Sequence, residues 1–153
     1  MEMADFVNIK RTKEEIINHN KHILAVSGGD FGIIDNSTLE FAVDSINNET
    51  DALKQATNFL YYAGAGHPFE NGNKRTAFEI ARGLMLSGSM VLTAPQDEII
   101  NFVTGSLAQG KVTREDTYNW LSSNSEITEE HPEFNAITTE NIEKDKELLK
   151  KLD

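Results

Sequence analysis

The segment 73–87 constrains the fold more than any other stretch of the sequence, because it combines helical periodicity with apolar side chains on two faces. One face carries Ala77, Ile80, Ala81 and Leu84, and a second carries Phe78 and Met85. A helix that is apolar on two sides is usually the buried centre of its domain, since each apolar face needs a partner. The sequence therefore predicts an all-α bundle around this central helix.

The rest of the body is predicted to form helices joined by short turns. Four hydroxyl residues stand three positions before an acid or an amide, which is the capping-box pattern of a helix start. The pairs are Thr12 with Glu15, Ser37 with Glu40, Thr93 with Gln96, and Thr113 with Asp116. Apolar residues at helical spacing follow each pair. The helix predicted after Thr93 has its apolar residues at Ile99, Ile100, Val103 and Leu107. A further helix is predicted over 51–65, while strand patterns are confined to 90–92 and part of 28–34.

Composition limits the classes of protein and of site. The length of 153 residues fits one domain, and the absence of cysteine excludes disulfides, thiolate metal sites and cysteine nucleophiles. The formal net charge of −11 should repel nucleic acid, so a basic protein partner is favoured and no direct contact with nucleic acid is expected. The sequence shows neither an apolar run of the roughly 20 residues of a membrane span nor a secretion signal. We therefore expect a cytoplasmic protein that contacts no membrane.

The composition changes after Ser123, which divides the sequence into a body, 1–123, and an acidic tail, 124–153. The tail contributes −5 to the net charge and the body −6. The stretch SNSEITEEHPEF is polar and acidic and contains a proline, so it is predicted to be a linker. Beyond it, 138–152 has the apolar spacing of one more helix, and a partly disordered, solvated tail is the alternative.

The stretch HPFENGNKRTA, residues 67–77, forms the loop that leads into the central helix. The first turn of a helix has unpaired N–H groups and the positive end of the helix dipole, so it favours anions. Gly72 permits a tight turn and a close approach of a phosphate to the backbone. Asn73 can cap the helix or donate to a phosphate, and Lys74 and Arg75 add positive charge. The pattern predicts a phosphate site.

Four other side chains of the loop suggest roles. Histidine titrates near neutral pH, so His67 is suited to act as a general base toward a hydroxyl. Asn71 or Glu70 offers oxygen ligands for Mg²⁺, which usually accompanies nucleotide phosphates. Phe69 is predicted to point inward and anchor the loop. The alternative is structural, since His-Pro and Asn-Gly are also common turns and Lys-Arg pairs are usually surface residues.

The loop resembles the signature of the Fic/Doc family, His-x-Phe-x-(Asp/Glu/Asn)-(Gly/Ala)-Asn-(Gly/Lys)-Arg. Seven specified positions agree in register: His67, Phe69, Asn71, Gly72, Asn73, Lys74 and Arg75. The resemblance covers roughly 11–123 and implies an all-helical fold around the loop and its helix, with a β-hairpin flap that is small or absent here. It also implies ATP and Mg²⁺ as cofactors, and transfer of part of the nucleotide to a protein hydroxyl.

The resemblance assigns a role to each matching residue. His67 would be the base that activates a target Ser, Thr or Tyr, and Asn71 stands where the family holds its metal-binding acid. The segment Gly72, Asn73, Lys74 and Arg75 would cradle the phosphates. The acidic tail lies outside the resemblance.

Two positions indicate the branch of the family that the chain resembles. Typical members that transfer AMP have Gly at position 74 and a second Arg at position 78, where this chain has Lys74 and Phe78. The Lys-Arg-Thr-Ala form is similar to the Doc, or death-on-curing, toxins, which are associated with phosphorylation of a translation factor. A kinase with a translation elongation factor as target is the favoured interpretation. AMP transfer by the same fold, and a non-catalytic protein that only binds, are the alternatives.

Many Fic proteins block their own site with the pattern Ser/Thr-x-x-x-Glu-(Gly/Asn). The nearest cases in this sequence fail, since Thr50 follows Ser45 and Glu49, and Lys144 follows Thr139 and Glu143. We therefore expect control by a separate antitoxin protein, with the acidic tail as a less favoured regulator. His19 and His22 lie three apart on the first helix, but no third metal ligand is apparent, so they are predicted to be ordinary helix residues.

Overall fold

The computed structural model describes residues 10–153. Within this range the chain forms eight α-helices, a π-helical segment and two short strands. In chain order these are α1 (Lys13–Ser27), α2 (Asn36–Asn47), α3 (Ala52–Ala65), α4 (Asn73–Ser87), β1 (Met90–Leu92), α5 (Gln96–Ile100), the π-helical segment Asn101–Leu107, α6 (Arg114–Ser123), β2 (Ser125–Ile127), α7 (Phe134–Lys144) and α8 (Lys146–Lys151). The fold is all-α, as the sequence predicted, and it includes a small two-stranded sheet.

Helix α4 is the buried centre of the bundle. Its two apolar faces are both covered, with Ile80 and Met85 at 0% exposure and Phe78 at 2%. Helix α3 packs along α4 more extensively than any other helix pair, and α2 and α6 cover the far side of α3. Helices α1 and α7 complete the shell around α4. The periodicity of segment 73–87 thus predicted both the helix and its central position.

Two of the four predicted capping boxes are present, at the starts of α1 and α6. Thr12 and Glu15 bond each other's backbone N–H groups, and Thr113 and Asp116 do the same. The other two predicted starts were wrong. Asp35 caps α2, because its carboxylate accepts from the backbone N–H of Thr38 at 3.0 Å.

The predicted start at Thr93 fails because that residue continues the sheet. The Thr93 N–H donates to the carbonyl of Asn124 at 2.6 Å, and α5 starts only after Pro95. The regular helix expected through Leu107 was also wrong beyond Ile100, where the chain continues as a π-helix. The Thr104 hydroxyl bonds the carbonyl of Ile100 at 2.6 Å, and such side-chain bonds compete with the regular helical ladder.

The sheet joins the body to the segment after it. Strands β1 and β2 pair antiparallel, with Met90 opposite Ile127 and Leu92 opposite Ser125. The sequence indicated β1 but placed β2 in a linker, because the stretch around it is polar and acidic and contains a proline. The only strongly apolar residue of β2, Ile127, is 88% exposed in the structure. Pairing with β1 therefore decides the conformation of this segment, since no buried face dictates it.

The tail packs against the body through α7 and α8. The sequence predicted one helix over 138–152, whereas the structure has two, which meet at Asp145. Helix α7 contacts α4 and α1, and α8 contacts α1 and α5. Five large apolar side chains of the two helices and their end are at most 5% exposed: Phe134, Ile142, Leu148, Leu149 and Leu152. The division into 1–123 and 124–153 stays a prediction, but the tail's apolar residues are part of the buried core.

Close contact between α4 and α7 depends on Gly83. A Cβ atom at this position would lie 2.0 Å from Oγ1 of Thr138 and 3.2 Å from the ring of Phe134. Any larger residue would therefore push α7 away from α4. Nearby, Arg82 of α4 forms an ion pair with Asp145 at the junction of α7 and α8.

Candidate active site

The loop 66–72, between α3 and α4, is fixed at its centre by Phe69 and Asn73. The Phe69 side chain is 1% exposed and lies in the hydrophobic core. The Asn73 side chain accepts from the N–H of Phe69 at 2.9 Å and donates to the carbonyl of Phe69 at 2.8 Å. These two bonds join positions 69 and 73 and so hold the loop closed between them. The amide of Asn73 is therefore engaged with the loop, and what this residue can still offer a ligand is its backbone N–H.

A second segment, 28–35, runs beside the loop. Ile33 forms an antiparallel bridge with Phe69, and the N–H of Glu70 donates to the carbonyl of Gly32 at 2.8 Å. The N–H of Ile34 also donates to the carbonyl of Pro68 at 2.8 Å. The sequence indicated a possible strand over part of this segment. The backbone ladder that it makes with the loop could not be read from side-chain patterns.

Gly72 turns the chain into α4. Its φ of +81° lies in the left-handed region, where residues with a Cβ are strained. A Cβ atom here would also lie 3.0 Å from the side-chain nitrogen of Asn20. That nitrogen donates to the carbonyl of Asn71 at 3.1 Å and to the Thr76 hydroxyl at 3.0 Å, so α1 braces the turn from behind.

The N-terminus of α4 has no side-chain cap. The N–H of Thr76 donates to the carbonyl of Gly72 at 2.8 Å, so the N–H groups of Asn73, Lys74 and Arg75 precede the helical ladder. Such uncapped groups form an anion site together with the helix dipole. The ammonium group of Lys74 borders the same space, and no residue of 10–153 holds it in a salt bridge or hydrogen bond.

Arg75 is placed differently from Lys74. It is 1% exposed, and its Nη1 donates to the Ser27 hydroxyl at 2.7 Å and to the carbonyl of Gly28 at 2.8 Å. Its Nη2 pairs with Oδ1 of Asp153 at 3.0 Å. Burial lowers the pKa of the Arg75 guanidinium, and the Asp153 carboxylate opposes that effect. An arginine remains protonated in proteins, so Arg75 is a buried cation anchored to the end of α1.

His67 is exposed at the opposite lip of the loop. Its Nδ1 lies 2.6 Å from the carbonyl oxygen of Gly66. A carbonyl oxygen can only accept, so Nδ1 carries the proton and Nε2 is left as the unprotonated nitrogen of the neutral ring. This tautomer presents a base to the pocket.

Asn71 has one end of its amide fixed. Its Nδ2 donates to the carbonyl of Asp30 at 3.0 Å, which leaves Oδ1 without a partner among residues 10–153. An amide oxygen is a suitable ligand for Mg²⁺, which binds proteins through one or two groups and completes its shell with phosphate oxygens and water. The described residues contain no group of three His, Cys, Asp or Glu side chains with metal-site spacing. Oδ1 of Asn71 is the atom of this loop that would hold a magnesium ion arriving with a phosphate ligand.

These groups share one pocket of about 310 Å³. It is lined by His67, Glu70, Asn71, Gly72, Asn73, Lys74 and Arg75, and by Ala108, Leu152 and Asp153 from later in the chain. A sequence model of the Fic/DOC family matches residues 7–85, which is just over half of the chain. The chain belongs to the Fic/DOC family. Members are usually transferases that move nucleotide or phosphate groups to proteins. A comparison with curated proteins found no match.

The Fic/DOC match ends at residue 85, so it includes the loop and most of α4 but excludes three pocket residues. Ala108 follows the π-helical segment, and Leu152 and Asp153 follow α8. No sequence pattern indicated that these three residues border the site, because each is distant from the loop along the chain and chemically ordinary. The structure places every predicted site residue except the buried Phe69 at the pocket.

His19 and His22 lie away from this Fic/DOC pocket and contact the tail instead. His19 bonds the side chain of Asn135 at 2.8 Å, and His22 pairs with Glu143. They therefore join α1 to α7. No helix in the described part of the chain has the length and hydropathy of a membrane span.

Proposed function

We propose that this Fic/DOC protein is a Doc-like protein kinase that transfers the γ-phosphoryl group of ATP to a hydroxyl side chain of a target protein. One observation supports this most directly. The unprotonated Nε2 of His67 and the uncapped N-terminus of α4, with the free ammonium of Lys74, border the same pocket. A base and a phosphate seat in one cavity are the two groups that phosphoryl transfer to a hydroxyl needs.

The transfer balances with these groups. Nε2 of His67 takes the proton of the target hydroxyl as its oxygen forms a bond to the γ-phosphorus of ATP. The bond between that phosphorus and the β,γ-bridging oxygen breaks, and ADP leaves with the bond's electron pair. The N–H groups of Asn73, Lys74 and Arg75 and the Lys74 ammonium stabilise the negative charge on the phosphates. A magnesium ion held by Oδ1 of Asn71 would neutralise part of that charge when bound.

Position 78 supports phosphoryl transfer over AMP transfer. Phe78 is 2% exposed and packs in the core, so α4 presents no second cation one turn after Arg75. Arg82, the next cation of α4, is paired with Glu79 and Asp145 and does not line the pocket. AMP transfer to a protein hydroxyl is the second candidate, because the same base and phosphate seat also serve it.

The biological setting follows from the Doc-like assignment. We infer a toxin of a toxin–antitoxin pair that acts in the cytoplasm on a translation elongation factor and is neutralised by a separate antitoxin protein. The net charge of −11 favours a basic surface on whichever partner binds it. Neither nucleic acid nor a membrane has a role in this proposal.

Labelled ATP tests the reaction. The purified protein is mixed with a bacterial lysate, Mg²⁺, and ATP that carries the label at either the α- or the γ-phosphate. Label on a protein from the γ position alone is expected and indicates a kinase. Label from the α position indicates AMP transfer. No label from either position, with ATP binding intact, favours a non-catalytic binding protein.

Variants of two histidines test the base. His67→Ala is expected to abolish labelling while leaving ATP affinity within about twofold, because His67 acts on the hydroxyl rather than on the phosphates. His131→Ala is the matched control, since His131 is also exposed and also precedes a proline. Labelling that survives His67→Ala would contradict the assignment of the base.

A further inference from the structure

A groove of about 440 Å³ lies on the surface between α2, α3 and α6, and it shares no residue with the pocket at α4. Eight residues line it: Phe41, Asp44, Ser45, Asn48, Glu49, Asn58, Tyr62 and Arg114. Positions 41, 44, 45 and 48 follow helical spacing, so they lie on one face of α2. The proposed reaction assigns no role to this α2–α3 groove.

One end of the α2–α3 groove is aromatic and open to solvent. Phe41 is 55% exposed. Its ring meets the Tyr62 ring edge to face, with 4.8 Å between the ring centroids, and Tyr61 meets Tyr62 in the same way at 5.2 Å. These contacts hold the rings in place without covering Phe41. Aromatic side chains are enriched where partner proteins bind, so this end has the composition of an interface.

The same end carries the carboxylate of Asp44. Asp44 follows Phe41 by three positions on α2, so the two side chains are neighbours on the helix surface. Asp44 is exposed, and no residue of 10–153 forms a salt bridge with its carboxylate. The acid at the other end of the groove, Glu49, is paired with Arg114 at 3.9 Å. Asp44 is therefore the carboxylate that can receive the cation of a partner.

The aromatic end lies beside the loop that carries His67. Tyr62 is in the last turn of α3, and its carbonyl accepts from the N–H of Gly66 at 3.1 Å. From α2, Thr38 approaches so closely that a Cβ on Gly66 would lie 3.0 Å from the Thr38 methyl group. Phe41 lies one turn after Thr38. A protein that holds a hydroxyl against His67 therefore extends over this end of the groove.

We propose that the α2–α3 groove is a docking site for an arginine side chain of the target protein, whose guanidinium lies on the Phe41 ring and pairs with the Asp44 carboxylate. A guanidinium stacks on aromatic rings and binds carboxylates with the same planar group, so it suits both features. The net charge of −11 favours a basic partner and opposes a second copy of this chain, which carries the same charge. This inference rests on the proposed function, because it takes the partner to be the protein whose hydroxyl reaches His67.

Docking at the groove positions the target and takes no part in the chemistry. His67 and the phosphate seat belong to the other pocket, which no groove residue lines. Loss of the groove should therefore weaken the binding of the target, while the affinity for phosphates and the reaction of a bound target stay the same. In kinetic terms, the KM for the target protein rises and kcat is unchanged.

The first test is an NMR titration of the isotope-labelled protein with N-acetyl-arginine amide. N-acetyl-citrulline amide is the neutral probe of nearly the same shape. The arginine probe is expected to shift the backbone amide signals of Phe41, Asp44 and Tyr62, and the citrulline probe to leave them in place. Asp44→Asn and Phe41→Leu should each weaken the binding of the arginine probe about threefold, the usual scale of one exposed ion pair or cation–π contact.

Matched controls separate the groove from general charge. Glu115→Gln removes a negative charge from an exposed position on α6, next to a groove residue, without lining the groove itself. Its affinity for the arginine probe should be that of the wild type, because salt screens exposed charges that are far apart. Sodium tripolyphosphate, which carries the phosphates of ATP without the nucleoside, should bind every variant equally. Thermal unfolding verifies that the substitutions at exposed Phe41 and Asp44 leave the fold intact.

The second test measures transfer to the target. Wild-type protein and variants label a bacterial lysate from labelled ATP, at lysate dilutions where the rate is proportional to the lysate concentration. Under these conditions the rate reports kcat/KM for the target protein. Asp44→Asn and Phe41→Leu should each lower it about threefold, as they lower the affinity for the arginine probe, and Glu115→Gln should leave it unchanged.

Each outcome separates docking from chemistry. Equal binding of the two probes, or unchanged affinity for arginine in Asp44→Asn, overturns the docking site and leaves the proposed function intact. The same loss in Glu115→Gln also overturns it, because the effect would then come from net charge. Undiminished labelling by Asp44→Asn overturns it as well, since the target would then not use the groove. No labelling by the wild type, with tripolyphosphate still bound, removes the proposed function, and the docking of a target fails with it.

Discussion

Glu79 should make this protein less stable as the pH rises through neutrality. The residue lies in α4, is 0% exposed, and pairs with Arg82 at 2.8 Å through one carboxylate oxygen. Its other oxygen has no partner among residues 10–153. Burial raises the pKa of Glu79 to about 7 from its ordinary value of 4.5, and the Arg82 charge only partly opposes this effect. The folded protein thus keeps a proton that the unfolded chain has already lost.

The sign and size follow from this difference in pKa. Stabilisation by the bound proton is complete below pH 4.5 and is lost as the pH rises to about 7. The interval of about 2.5 pH units corresponds, at about 1.4 kcal/mol per unit, to about 3 kcal/mol. Glu79→Gln replaces the protonated acid with a neutral group of the same shape. The margin by which the variant's free energy of unfolding exceeds that of the wild type should widen from pH 5 to pH 8 and reach up to about 3 kcal/mol at pH 8.

Urea denaturation at several pH values between 5 and 8 measures this difference. Effects of all other titrating groups cancel when the two proteins are compared at each pH. Glu140→Gln is the control, because Glu140 is 56% exposed and pairs with Lys144 on the surface of α7. Its difference from the wild type should stay nearly constant with pH. Parallel curves for the wild type and Glu79→Gln would refute the reasoning. They would show that Glu79 is ionised throughout this pH range, and that its ion pair with Arg82, which also contacts Asp145, outweighs the effect of burial.

Three further substitutions test the packing and the loop. Leu149→Ala removes a fully buried side chain of the tail and should lower the free energy of unfolding by about 2–5 kcal/mol in urea denaturation. Gly72→Ala places a Cβ at a φ of +81° and should cost about 1–2 kcal/mol. Asn73→Ala removes both bonds to the backbone of Phe69, so it should cost about 1–3 kcal/mol and also weaken the binding of tripolyphosphate.

Two of these substitutions have a control variant in the same protein. Leu86→Ala, at a half-buried position of α4, should cost clearly less than Leu149→Ala. If Leu149→Ala costs no more free energy of unfolding than Leu86→Ala, the tail contributes no buried core. Gly105→Ala is the control for Gly72→Ala, because its Cβ meets no atom within 4 Å and its φ is not positive. A stable Asn73→Ala protein with unchanged affinity would mean that the loop keeps its shape without the amide.

Local sequence predicted the elements whose determinants are close together in the chain. The periodicity of 73–87 specified α4 and its central position, and two capping boxes fixed the starts of α1 and α6. The loop motif likewise brought a base, a turn glycine and a lysine to one helix start, because eleven residues span that whole distance. In these places a short-range pattern is enough, since helix geometry alone sets which side chains meet.

The tertiary structure decided what depends on distant contacts. Strand β2 forms because β1 offers a partner, and segment 28–35 lies along the loop through backbone bonds that carry no side-chain signature. The sequence treated Arg75 as one more phosphate ligand beside Lys74, yet packing buries it against Ser27 and pairs it with Asp153. These two residues are 48 and 78 positions away from Arg75. Only the folding of α1 and α8 around α4 brings them together, because burial and ion pairing depend on distances in space that local patterns do not encode.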